Sequence, residues 1–477
     1  MRMVITWSLL YLVSEWVIRL VMLFVVTHRR SPIAALAWLL VISFLPWFGL
    51  VLYLLIGENR LPRKRVEEHR AMLAELERRD RRLQPPSLSG GADAREEHRG
   101  LIALAERLTG MPAVGGNHVE LISVTEEFVD RLVDDIDVAR HHVHLEFYIY
   151  ANDDTGQHIG AALTRAAARG VHCRLLADAV GSKRMLRRLA PELRRKGVEV
   201  HAMLPVHLLR WAVARLDLRN HRKLAVIDGC IAYAGSQNVV DEDYGRRKMV
   251  WHDVMVRVTG PVVHSLQAVF LSDLYAVTDE VVEEESVFPR PGTPGDTVLQ
   301  ALPSGPNYPT ESYQRMVVAA VHAARHNIII TTPYIVPDEA TFQALQVAVL
   351  RGVTVDIIVP RRSDQILVGA ASRAYYEPLL EAGIRVHLYD RGLLHAKTIS
   401  IDDAIAFIGS SNFDIRSFAL NFELNLALYG SDVTRALREK QLRYLGEASQ
   451  LDLDVWKQRA WSREITQRLA ALLSPLL

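Results

Sequence analysis

Apolar residues crowd the front of the chain. Val4 to Val26 and Ile33 to Ile56 are almost continuously apolar, and each is long enough to cross a hydrocarbon core, which needs about 20 residues of helix. Only Thr27-His28-Arg29-Arg30-Ser31-Pro32 separates them. The pattern predicts a two-helix transmembrane hairpin over residues 1–60, with a kink at Pro46. A cleaved signal peptide fits poorly: the first run is too long, lacks a small-residue cleavage site and is followed at once by a second. Glu15 and Arg19, four residues apart, share one helix face; as intramembrane charges they are functional candidates, and the favoured reading is a neutralising pair that snorkels or packs against the second helix. Arg2 precedes the two runs and Arg60, Arg63, Lys64, Arg65 and Arg70 follow them, against Arg29 and Arg30 in between. That excess on the outer flanks predicts a multi-pass chain with both termini, and everything after the hairpin, in the cytoplasm.

Residues 61–82 are dense in charge with Leu and Met interspersed, predicting a solvated helix leaving the membrane. Gln84 to Gly91 is rich in Pro, Ser and Gly and predicts a flexible linker, so residues 61–100 form a connection. A second break, Glu283 to Thr297, carries three Glu, three Pro and two Gly. It divides the remainder into domains at 101–285 and 298–450, joined by a linker at 286–297 and followed by an amphipathic segment at 451–477.

The two domains repeat. Val143 to Tyr150 is strand-like and precedes a helical pattern ending at Arg169-Gly170, then a β-rich run from Val171 to Val180. Asn327 to Ile335 likewise precedes a pattern ending at Arg351-Gly352, then Val353 to Pro360. Further strand candidates follow (Val198 to Leu204; Ile384 to Asp390). Each half then reaches a hairpin-like pair, Lys223–Asp228 with Cys230–Ser236, or Lys397–Asp402 with Ala404–Ser410. Strands alternating with helices predict an α/β fold, a mixed sheet flanked by helices. The tandem repeat predicts a pseudo-twofold with one site between the halves.

Composition narrows the function. The 477 residues carry 56 Lys+Arg against 55 Asp+Glu, a formal charge of +1, with 49% hydrophobic residues. That argues against a disordered or nucleic-acid-coating chain. Two cysteines, Cys173 and Cys230, form neither a disulfide framework nor part of a metal-ligand cluster, and predict a reducing compartment for most of the chain.

Candidate chemistry lies in the hairpins. The first carries His221-x-Lys223-x4-Asp228 and, after six intervening residues, Gly235-Ser236-Gln237-Asn238. The second carries His395-x-Lys397-x4-Asp402 and, after the same gap, Gly409-Ser410-Ser411-Asn412. Strand residues two apart project from one face, so each imidazole and ammonium point together into one cavity. The Gly-Ser-x-Asn turn adds a close backbone approach, a hydroxyl and an amide. Two such half-sites suit a phosphodiester. Lysines and asparagines hold the non-bridging oxygens, one His attacks phosphorus, and the other protonates the departing alcohol. Fixed cations fill the role of a metal, so neither metal nor cofactor is expected.

These paired motifs resemble those of the phospholipase D superfamily, and the chain is similar to its bacterial cardiolipin synthases over nearly its whole length. The likeness runs from Arg29-Arg30-Ser31-Pro32, Ala37-Trp38-Leu39-Leu40 and Tyr53-Leu54-Leu55-Ile56-Gly57 through Leu218-Arg219-Asn220-His221-Arg222-Lys223, Arg416-Ser417 and Asn421-Phe422-Glu423. It ends at Leu472-Leu473-Ser474-Pro475-Leu476-Leu477. The resemblance implies two tandem phospholipase D-like domains at the inner membrane, joining two phosphatidylglycerols into cardiolipin with release of glycerol through a phosphohistidine. It implies His221 as nucleophile and His395 as general acid and then base, an order the near-symmetric motifs leave open. Lys223, Lys397, Asn238 and Asn412 would bind phosphate, with Ser236 and Ser410 beside them. Asp228 and Asp402, though motif members, are expected to orient the site from behind. Asp253 and Glu423 match the family's downstream carboxylates, each holding the other half's histidine.

Other features are less specific. Val206 to Leu216 has the make-up either of an interfacial helix or of a core-packing one. Glu146, Phe147, Tyr148, Pro333 and Tyr334 are read as packing residues flanking the pocket. Trp456 to Leu477 either packs on the domain or lies on the membrane. The rival functions are a hydrolase of the same superfamily (phospholipase or nuclease) and a non-catalytic membrane scaffold. A nuclease calls for a larger basic surface, so partners are expected to be phosphatidylglycerol, other phospholipids and the membrane, not nucleic acid, with a homo-oligomer compatible.

Overall fold

The computed structural model describes residues 2–30, 32–57, 63–83, 96–205, 217–245, 249–309 and 311–472. The segment 206–216, the linker 84–91 and the final residues 473–477 lie outside them.

The N-terminal unit contains three helices, not two: α1 (Arg2–Arg29), α2 (Pro32–Phe44) and α3 (Pro46–Ile56). Only α1 is long and apolar enough to span a membrane among the described residues. The bend expected at Pro46 is a complete reversal. Trp38 and Tyr53, fifteen positions apart, meet with ring centroids 5.1 Å apart, and a Cβ on Gly49 would come within 2.8 Å of the Ile42 Cα. Proline removes the N–H that Ile42 C=O would have received and its ring blocks the preceding turn. Glycine at 49 lets α3 fold back at close range. Ile18, Met22, Val26, Ala35, Ile42 and Tyr53 form the buried seam.

A second correction concerns α4 (Arg63–Leu83). It is not solvated all round: His69, Met72, Leu73 and Leu76 are buried, at the i, i+3, i+4, i+7 spacing of a core-facing stripe. The dense charge on its other faces hid that stripe in the sequence. His69 Nδ1 lies 2.6 Å from Ser272 Oγ and its Nε2 lies 3.0 Å from Asn307 Nδ2.

The repeat folds as the pseudo-twofold the pattern predicts. The first half threads β1 (Val114–Ile122), β2 (His142–Phe147), β3 (His172–Asp178), β4 (Glu199–Met203), β5 (Lys223–Ile227), β6 (Ile231–Gly235) and β7 (Met255–Thr259). The second repeats it with β8 (Thr297–Ser304), β9 (Asn327–Thr331), β10 (Thr354–Pro360), β11 (Arg385–Tyr389), β12 (Thr398–Ile401), β13 (Ile405–Gly409) and β14 (Glu423–Tyr429). The spatial orders match: β1-β7-β6-β5-β2-β3-β4 runs outward on one side, β8-β14-β13-β12-β9-β10-β11 on the other. The halves join through the antiparallel pair β1–β8. In each, three parallel strands are linked by helical crossovers, as parallel strands require, and the motif hairpin is antiparallel.

Inner faces of the two halves share one core. Leu224, Val226, Ala234 and Val256 belong to the same buried cluster as Ile408, Leu424, Leu426 and Leu428, with the helix Val262–Thr278 among them. The supposed linker at 286–297 is held to this body as well: Val287 and Phe288 are buried in that cluster, and Phe288 meets His264 edge-on at 5.4 Å.

Candidate active site

Each histidine stands just ahead of its strand, in an extended connection held by the opposite half. His221 N–H donates to Phe422 C=O (2.8 Å), and Phe422 N–H returns to Arg219 C=O (3.0 Å). His395 N–H donates to His252 C=O (2.8 Å), beside the short parallel pairing of Leu393-Leu394 with Trp251-His252. The strands proper begin at Lys223 and Thr398. Each lysine Nζ folds back to donate to its own histidine's carbonyl. Imidazole and ammonium are thereby brought together, as the two-residue spacing predicts.

The carboxylates are exchanged between halves. His221 Nδ1 lies 3.1 Å from both Glu423 Oε2 and Ser410 C=O, while His395 Nδ1 lies 2.7 Å from Asp253 Oδ1. A carbonyl and an ionised carboxylate only accept, so both rings carry their proton on Nδ1 and leave Nε2 as the unprotonated nitrogen. Lys223 and Lys397 each act electrostatically on the other half's histidine, consistent with a single shared site.

Burial sets the resting charges. It lowers His221, and His395 to about 4, against the attraction of Glu423 and Asp253. Burial also lowers Lys223 to about 7 and Lys397 to about 8. It would raise Asp253 and Glu423, but the facing imidazoles and lysines outweigh it and hold both carboxyls below their ordinary range. The site thus holds two neutral imidazoles, two carboxylates and two lysines that give up their protons more readily than usual.

Four expected site residues stand elsewhere. Asp228 Oδ1 and Oδ2 accept from the backbone N–H groups of Arg140 (2.8 Å), His141 (2.7 Å) and His142 (2.9 Å). Asp402 does the same for Arg325, His326 (2.8 Å) and Asn327 (2.8 Å). Both sit in the left-handed region, at φ 51° and 52°. They close the far end of the strand, about 17 Å from the lysines at the usual rise, and are turn residues. Ser236 and Ser410 are fully buried behind the carboxylates. Ser236 Oγ donates to Asp253 Oδ1 (2.6 Å) and accepts from Val254 N–H (3.0 Å). Ser410 Oγ donates to Glu423 Oε2 and accepts from Leu424 N–H (2.9 Å). With their single O–H donors committed, these hydroxyls fix the carboxylates and have no donor left for a phosphate oxygen. Asn238 Oδ1 accepts from Ile149 N–H (3.1 Å). Asn412 stands at the equivalent turn of the other half, its Oδ1 unpartnered.

Sequence reasoning placed one neighbour of the histidines, Tyr148, and missed two residues, Trp251 and Arg222. Tyr148, read as packing, lies against His221 with centroids 4.8 Å apart, and Trp251 lies against His395 at 4.6 Å. These aromatic walls stand one in each half-site. Arg222, between the motif His and Lys, is fully buried. Its Nε donates to Glu423 C=O (3.1 Å) and its Nη1 pairs with Asp273. Glu146, which accepts from Asn220 Nδ2, is pushed well above its ordinary range by burial and by Asp273. The alternation of strand faces could have flagged Arg222: a residue between two that enter the cavity points away from it. The second half has Ala396 there. Among the described residues no cluster of three or more His, Cys, Asp or Glu could hold a metal ion.

Comparison with known proteins identifies relatives of the chain. The family model described as "Cardiolipin synthase, PLD-like domain" matches residues 132–273 and 317–444, and "Phospholipase_D-nuclease N-terminal" matches residues 16–58. Cardiolipin synthase A of Serratia proteamaculans (strain 568) is 37% identical, with 99% of each chain covered. That of Yersinia pseudotuberculosis serotype O:3 (strain YPIII) is 36% identical over 95% of each. Among solved structures, the phosphatidylserine synthase of Haemophilus influenzae Rd KW20 superposes with a TM-score of 0.58 at 15% identity, covering 79% of this chain and all of that one.

Proposed function

Because the chain belongs to the cardiolipin synthase family with phospholipase D-like domains, we propose that the paired half-sites carry out its reaction on phosphatidylglycerol. The protein is a membrane phosphatidyltransferase that makes cardiolipin. One phosphatidylglycerol donates its phosphatidyl group, glycerol departs, and the terminal hydroxyl of a second phosphatidylglycerol accepts.

The two hydrogen-bonding environments support one order of steps. His221 Nε2 attacks phosphorus, its ring fixed by Glu423 and the Ser410 carbonyl. His395, protonated as the anionic lipid arrives, gives its Nε2 proton to the departing glycerol oxygen. Its closer carboxylate, Asp253 at 2.7 Å, favours this role because it stabilises the imidazolium. A second phosphatidylglycerol then loses its hydroxyl proton to His395 and displaces His221. Lys223, Lys397, Asn238 and Asn412 hold the non-bridging oxygens throughout. The basic residues around Arg29 and Arg63 favour a cytoplasmic position for the catalytic halves.

One observation carries this reading: each imidazole is held by a carboxylate from the other half. The test is to incubate purified full-length protein with labelled phosphatidylglycerol in vesicles. Cardiolipin with equimolar glycerol is expected. Phosphatidic acid alone would make the protein a hydrolase, and no product would make it a scaffold. His221→Ala and His395→Ala should each abolish synthesis. An acid-labile lipid adduct found on His395 and never on His221 would reverse the assigned roles.

A further inference from the structure

The reversal at Pro46 changes what the N-terminal unit does in a bilayer. Helices α2 and α3, of 13 and 11 residues, rise about 20 and 17 Å, well short of a core of about 30 Å. Their contacts run in antiparallel register: Ile42 lies against Gly49 and Trp38 against Tyr53. The chain therefore leaves α3 at the level where it entered α2, beside the end of α1 that carries Arg29 and Arg30.

The tip of this pair has a partner in α1. Arg19 Nε donates to Ser43 C=O at 3.2 Å, and Glu15 Oε2 lies 3.3 Å from Arg19 Nη1. Ser43 sits at the C-terminal end of α2, where broken helix geometry leaves carbonyls without donors and hydrocarbon offers no water. Arg19 is ten residues from Arg29, about 15 Å along the helix, which is the depth of the bilayer midplane. An intramembrane ion pair is costly, and this one stands where a donor is needed.

We propose that the second apolar run is a re-entrant helix pair whose tip is held at the bilayer midplane by Arg19 and Glu15, so that the chain crosses the membrane once. On this reading the chain leaves α3 on the same side of the membrane as Arg29 and Arg30, the cytoplasmic one, and the start of α1 lies opposite. The basic residues that split between two faces in a two-span hairpin then agree with one orientation. The N-terminus is on the outer face. The inference does not depend on which reaction the catalytic halves perform.

Two measurements on the full-length chain in a bacterial host test it. A cysteine introduced as Met3→Cys should react with a membrane-impermeant maleimide in intact spheroplasts, whereas the native exposed Cys230 should react only after lysis. Protection of both until lysis would establish two crossings and overturn the proposal. In a second variant, Trp38→Cys with Tyr53→Cys, a short bis-maleimide should cross-link the two positions within one chain, an outcome that requires the fold-back. A continuous helix would hold them about 22 Å apart, so absence of the cross-link would also overturn it. Adding Arg19→Leu to the second variant should reduce the cross-link yield severalfold. An unchanged yield would remove Arg19 from its assigned place at the tip.

Discussion

The motif aspartates offer a sharp test, because their place in the sequence suggests chemistry and their place in the structure does not. In Asp228→Ala three backbone N–H groups lose an ionised acceptor. Two of these bonds are at exposed positions and contribute about 1 kcal/mol each, and the third, to His142 N–H, is half-buried and contributes about 1.5 kcal/mol. Alanine is also unfavourable at φ 51°, by about 1 kcal/mol. The sum, about 4.5 kcal/mol, is a large part of a stability of roughly 5–15 kcal/mol. For a body of this size it lowers the melting temperature by about 5 °C. The assay is thermal unfolding of detergent-solubilised full-length protein alongside transfer activity per folded molecule at a temperature well below the transition. Activity per folded molecule should stay within about threefold of wild type. A loss of a hundredfold or more with an unchanged melting temperature would place Asp228 in the chemistry and refute the argument. Asp402→Ala should behave alike.

Three further outcomes follow from the site. The pH profile of kcat/KM reports the free enzyme: it should fall as pH rises through about 7 to 8, where Lys223 and Lys397 lose their charge, and fall at acid pH as the nucleophilic imidazole protonates. A flat profile between pH 7 and 9 contradicts the lysine assignment. Glu423→Gln keeps the packing but removes the charge that stabilises the His221 imidazolium, and should lower kcat by about 10²–10⁴, in line with the loss of general acid–base assistance; a change below fivefold would mean that Glu423 is not needed. Asp273→Asn strands the buried Arg222 cation and should cost about 3–5 kcal/mol, whereas Arg222→Met with Asp273→Leu should recover most of that stability yet leave activity low, since Glu423 C=O loses its donor. Full activity in the double variant would confine Arg222 to stability.

The architecture was legible because it is written twice. Matching helical patterns ending in Arg-Gly and matching His-x-Lys hairpins predict a duplicated α/β body, and the strand orders of the two halves repeat element for element. The exchanged carboxylates Asp253 and Glu423 could be named from the family resemblance, although spacing alone gives no reason to pair residues 142 and 202 positions from their histidines. What escaped was set by tertiary contact. Hydropathy sums over a window and cannot register that Pro46 turns the chain around. The stripe on α4 is outnumbered by charges on its solvent faces. Ser236 and Ser410 have hydroxyls suited to phosphate, and only the positions of Val254 N–H and Leu424 N–H reveal that those hydroxyls are already engaged. Trp251 carries no signal until the imidazole it covers is in place.

The exchange of carboxylates between the two lobes ties their histories together. Neither lobe expressed by itself possesses an oriented imidazole, since His221 would lack Glu423 and His395 would lack Asp253. A substitution that damages one lobe's carboxylate is felt by the opposite lobe's histidine, so the copies could not drift apart independently after duplication. For the same reason, an intact first lobe cannot rescue a chain whose own second lobe has lost Glu423 unless the lobes themselves trade places between chains.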